Sequence, residues 1–123
     1  MAPRPTALLA LWNDVDPTRE AEYEDWHARE HVPERLTVPG MCWALRWVRC
    51  EGPQAGPDAP RYLPLYAMRD AAVVDSDAYH RLLAHPTLAS RAMRPALRRV
   101  ARWICTLDSD DGIGACDRID GCP

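Results

Sequence analysis

Prolines set the limits of this chain. Twelve of them interrupt 123 residues, and proline lacks an N–H and restricts the residue before it, so regular elements tend to stop or bend there. The stretches between them are short, and each has its own periodicity. Residues 6–13, TALLALWN, lie between Pro5 and NDVDP and read as a buried strand. Asp16 and Pro17 then supply an N-cap and a first-turn proline. They predict a helix from about Pro17 to His31 or Val32, where Pro33 ends or kinks it. PERL adds one further turn before VPG.

Residues 40–50, GMCWALRWVRC, alternate. Met41, Trp43, Leu45 and Trp47 point one way, and Cys42, Ala44, Arg46 and Val48 the other. The Gly/Pro-rich connection EGPQAGPDAP leads to a returning strand, RYLPLYAMR, in which Pro64 predicts a bulge or an unpaired position. A second helix begins near Ser76-Asp77 and breaks at Pro86. TLASRAMR follows as a short helix up to Pro95. RRVARWICTL (98–107) is the last strand, with Val100, Arg102 and Ile104 on one side. The order is βαββαβ, an α+β ferredoxin-like antiparallel sheet with its helices on one face. Residues 1–107 form one domain, and 108–123 read as a polar C-terminal extension. The uncovered sheet face is apolar on several strands, which predicts a homodimer that packs sheet on sheet.

Composition narrows the function. A net charge of −3 argues against nucleic acid, whose phosphates need a basic partner. No apolar run is long enough to span a membrane, and the N-terminal stretch is too short and mixed for a secretory signal, so the expected location is the cytoplasm. All 15 basic residues are arginine, a bias that weakens arguments from any single one. The five cysteines form no CxxC pair. Cys42, Cys50 and Cys105 read as small hydrophobes in strands, and Cys116 and Cys122 as free thiols.

Chemistry concentrates in WHAREH, residues 26–31. On an ideal helical wheel Tyr23, Trp26, His27, Glu30 and Glu34 share a face, with His31 at its edge. Ala21, Ala28, Val32 and Leu36 lie opposite, and either stripe can meet the sheet. Burying the Trp26 indole favours the first choice. Three readings follow. HAREH fits H-x-x-E-H, an inverted zinc-peptidase pattern, but the third ligand would have to come from Asp75, Asp77, His80 or His85. An acid–base site asks less: His31 at a helix C-terminus, beside Glu30 and Trp26, would be balanced to move protons near neutral pH. The third reading is a solvated face of His27, His31 and their acidic neighbours. No GxSxG, GxGxxG or Walker loop is present.

The stretch W26-H-A-R-E30-H31-V-P33-E34-R-L36-T-V-P39-G40, followed by A44-L-R46-W47, resembles the dimeric α/β-barrel superfamily, and within it the EthD-like and related families. The resemblance spans most of residues 6–107. It implies ferredoxin-like protomers paired sheet to sheet, with a pocket between helices and sheet. It also implies chemistry on small, often aromatic or lactone-like molecules, usually without a cofactor. Some relatives bind haem, for which His80 or His85 would be wanted, but neither sits in a haem motif. The family's histidine maps onto His31 and its tryptophan onto Trp26; position 27 is often tyrosine there.

The expectation is a homodimeric enzyme acting by acid–base chemistry on a small substrate, as a cyclase, isomerase or lyase, with no metal and no cofactor. His31 would transfer protons, with Glu30 orienting it and His27 as a second acid or base. Trp26, Trp43 and Tyr66 would wall the pocket, and Asn13 and Arg46 would hold a carbonyl or carboxylate. The alternatives are a cofactor-free monooxygenase and a non-catalytic small-molecule-binding protein.

Overall fold

The computed structural model describes residues 4–50, 60–107 and, for the backbone, 113–119. β1 (Ala7–Val15) leads through a 3-10 turn, Pro17–Arg19, into α1 (Glu20–Trp26). A π-helical turn, His27–His31, and α2 (Val32–Arg35) continue it. β2 (Met41–Val48) and β3 (Tyr62–Met68) follow, then α3 (Asp77–Ala84), α4 (Leu88–Met93) and β4 (Leu97–Leu107). The fold is α+β, and the order β2-β3-β1-β4 in an antiparallel sheet is that of a ferredoxin-like arrangement.

Local chemistry accounts for the boundaries. Asp16 accepts from the Thr18 amide, Ser76 from that of Tyr79 and Thr87 from that of Ser90, so side chains satisfy amides that a helix start leaves free. Gly40 has φ +96°, and a Cβ there would lie 2.5 Å from Val73 Cγ2; only glycine makes that turn into β2.

The helix runs on past Pro33 to Arg35, the further turn expected of PERL. The turn before it widens, and the Val32 amide bonds to the His27 carbonyl, an i to i+5 link. The structure corrects the sequence reading in three places. Met41 does not share a side with Trp43. The register slips between them, and Met41 is buried opposite Met68 while Trp43 faces outward. Residues 113–119, within the stretch read as a polar extension, form β5 and pair with β4. Cys105 is disulfide-bonded rather than a free thiol, and the register sets it opposite Cys116.

The core lies between sheet and helices. Leu9, Tyr66 and Met68 from the strands meet Val38, Val73 and Tyr79, and a second cluster joins Val15, Tyr62 and Met93 to Tyr23. The other sheet face is bare of helices. Trp43, Leu45 and Trp47 of β2 are all exposed there, beside Leu63 and Leu65 of β3.

Candidate functional site

The sheet is irregular where it meets the π turn. Between β1 and β3 the pairing runs from Ala7–Met68 to Ala10–Leu65 and resumes at Asn13–Tyr62, leaving Leu11 and Trp12 unpaired with Leu63 and Pro64. Proline has no N–H to give there. On the other side of β1 the register with β4 shifts between Trp12 and Asp14, where Arg99 and Val100 of β4 form a bulge opposite Asn13. Bulges next to sites re-aim side chains. Above this gap lies a cavity of ≈ 100 Å³. Leu11, Pro64 and Val100 line it from the sheet with Asn13 and Arg102; Trp26, His27, His31 and Arg35 line it from the helix. Tyr23, Tyr79, Leu83 and Leu97 complete the wall.

The π turn explains which helix residues face inward. In an α-helix a residue four positions on has turned about 40° past its predecessor. An ideal wheel therefore carries His31 to the edge and leaves Glu30 near the centre. A π turn holds more residues, so four steps across it fall short of a full turn and the drift reverses. Tyr23, His27, His31 and Arg35 consequently stay on one face. Tyr23 stacks on His27 at 5.2 Å between ring centroids, His27 on His31 at 5.1 Å, and Trp26 sits 4.6 Å from His31.

Both histidines are held neutral. Arg46 donates from Nε to His27 Nδ1 at 2.8 Å, so that nitrogen is an acceptor and the ring proton belongs on Nε2. Burial, then Arg46 and Arg35, pull His27 down to about 3. Burial, then Arg35 and His27, pull His31 down to about 2. The Nδ1 of His31 is buried with no hydrogen-bond partner. Tyr23, pushed up to about 12 chiefly by burial, donates to Asn13 Oδ1 at 3.3 Å.

Of the expected site residues, Asn13, Trp26, His27 and His31 line the cavity. Glu30 does not orient His31. It accepts from Thr87 Oγ1 at 3.1 Å, and Thr87 also bonds Ser90, which takes the Trp26 indole N–H at 3.2 Å. Glu30 thus helps fasten the helix to α4. His31 is not at a helix C-terminus and is not balanced near neutrality. Trp43 faces the bare side, because a strand sends alternate residues to opposite faces and Arg46 takes the inner one. Arg46 is spoken for by His27 and by Glu24 at 2.8 Å. Tyr66 is wholly buried beneath the site, its hydroxyl unpaired.

Tyr23, Arg35, Tyr79 and Arg102 also belong to the cavity and were not among the expected residues. The signal for Arg102 in the sequence is its place between Val100 and Ile104 on an apolar strand side. The H-x-x-E-H pattern meets cations here: Arg46 occupies the Nδ1 of one histidine, and Arg35 bears on both. Among the described residues no cluster of three or more His, Cys, Asp or Glu side chains is placed to hold a metal ion, and His80 and His85 are exposed on and beside α3. No family model, curated protein or solved structure matches the chain.

Proposed function

We propose that this protein is a cofactor-independent enzyme acting by acid–base chemistry on a small, aromatic, polyketide- or lactone-like molecule, as a cyclase, isomerase or lyase. The observation that carries the reading is the cavity itself. Two stacked neutral histidines, one with a buried unpaired Nδ1, stand over a bulged strand among apolar walls. Buried polar groups without partners are rare unless a ligand or water serves them. The EHVPER and VPG stretch of the sequence and the ferredoxin-like strand order support kinship with EthD-like dimeric α/β-barrel proteins. The bare face with Trp43, Leu45 and Trp47 exposed supports a homodimer joined through that face.

The chemistry divides between the rings. His27, with Nδ1 held by Arg46, is a neutral N–H donor suited to a carbonyl oxygen that gains charge. His31 takes the proton from the adjacent carbon, and the negative charge developing on the substrate offsets the cationic surroundings that suppress its basicity. Both histidines lie far below neutrality in the empty cavity, which favours a second reading: binding and polarising a ligand without turnover. Hydrogen–deuterium exchange at the carbon next to the carbonyl, followed by NMR in D2O with a panel of aryl lactones and β-diketones, separates the two. Enzyme-dependent exchange that falls at least about 100-fold in His31→Ala supports catalysis. Exchange unchanged in His31→Ala overturns it. No membrane-crossing helix is present among the described residues. The disulfide at Cys105 belongs to an oxidising setting more readily than to the cytoplasm.

A further inference from the structure

We infer that the cavity takes a small organic carboxylate whose charge is met by Arg102. The inference rests on reading the cavity as a ligand site, and adds the ligand's charge. Arg102 is 8% exposed, and its Nη2 donates to Tyr79 Oη at 2.8 Å. Among the described residues it has no carboxylate partner. A guanidinium removed from water needs an opposite charge and hydrogen-bond acceptors, and a phenol oxygen supplies only an acceptor. The local charge count points the same way. Arg35 and Arg102 both approach the Tyr79 ring, at 6.0 and 5.9 Å from its centroid. Arg35 is matched by Glu34 at 2.9 Å and Arg46 by Glu24 at 2.8 Å. Among the described residues one cation facing the cavity is left over, so the complementary ligand carries one negative charge.

The remaining walls choose among anions. A guanidinium fork accepts carboxylate or phosphate, but Leu11, Leu83, Leu97 and Val100 would desolvate an inorganic phosphate without compensation. They suit an apolar body joined to a carboxylate. A cavity of ≈ 100 Å³ limits that body to about one ring or a short chain.

Calorimetric titration of the full chain with benzoate, benzyl alcohol and inorganic phosphate tests this. The expected result is that benzoate binds at least about tenfold more tightly than the other two. Arg102→Met then loses at least about tenfold for benzoate while benzyl alcohol changes less than twofold. Arg102→Lys keeps the charge but not the fork and falls between; it carries the test if the Met variant does not fold. Benzoate binding no better than benzyl alcohol, or unaffected in the Arg102 variants, overturns the carboxylate assignment and leaves a site for neutral molecules. Phosphate binding best overturns it in favour of another anion. Binding of none of the three overturns both the carboxylate and the cavity as a ligand site.

Discussion

On the covered face of the sheet, Asn13 and Arg102 are buried, with His27 buried above them. On the bare face, Trp43, Leu45 and Trp47 are 42%, 45% and 54% exposed. Polar groups lie inside and large apolar ones outside, the reverse of what burial energetics favour on each side. The difference separates two demands on one sheet. Inside, stability is given up around a cavity: a bulge in β4 opposite Asn13, a gap in the β1–β3 ladder at Pro64, and histidines kept from protonating. Outside, the apolar surface has no such use within one chain, and the proposed dimer would cover it. Local rules that fail at a cavity mark function, and those that fail on a smooth sheet face mark an interface.

The largest expected effect breaks the outer half of that comparison. Leu45→Asp places a charge in the proposed sheet-to-sheet contact and should weaken the dimer by about 4 kcal/mol, roughly 1,000-fold. Sedimentation at micromolar concentration should show a dimer for the native chain and a monomer for the variant. A native monomer refutes the sheet-paired dimer.

The inner half predicts a pH dependence. His27 and His31 have folded values of about 3 and 2, below the unfolded value near 6.5. The unfolded chain therefore binds more protons between those limits. The stability tied to their neutrality is fully present above pH 6.5 and is lost as pH falls toward the folded values. From pH 7 to 5 the two together should remove roughly 4 kcal/mol, seen as a falling urea midpoint. His31→Leu should remove about half of that slope. A midpoint flat from pH 7 to 5 would mean the rings are solvated.

A smaller effect concerns Tyr66, whose hydroxyl is buried and unpaired. Tyr66→Phe should raise stability by about 1 kcal/mol, because an unmet hydroxyl is taken out of the core; a loss in the thermal midpoint would show that the hydroxyl has a partner. Smallest of all, Arg46→Met should raise the His27 value, followed by ring NMR, since Arg46 is the second cause of its depression after burial. An unchanged value would remove Arg46 from the electrostatics of the site.

Much of this architecture was legible because prolines, caps and alternation act locally. Asp16, Ser76 and Thr87 mark their helices from sequence alone, and Pro64 announces the ladder gap. What escaped depends on departures from ideal periods. A wheel drawn at 100° per residue places Glu30 inside and His31 at the rim; the π turn ahead of Pro33 exchanges them. One slipped residue between Met41 and Trp43 moves a methionine across the sheet. β5 has little apolar patterning, since it pairs at an edge and owes its place to backbone bonds with β4. Arg102 is visible as a charge on an apolar strand side, but only the folded chain shows that it meets no carboxylate among the described residues.

His27, buried, and His31, half-buried, form a neutral pair over a cavity. Long-range proton–nitrogen NMR of the imidazole rings, followed from pH 8 to 5, tests it directly. The expected result is that neither ring gains a proton across that range and that His27 stays in the Nε2–H form, with Nδ1 as acceptor. Both rings titrating near 6.5 would contradict it and return WHAREH to the solvent.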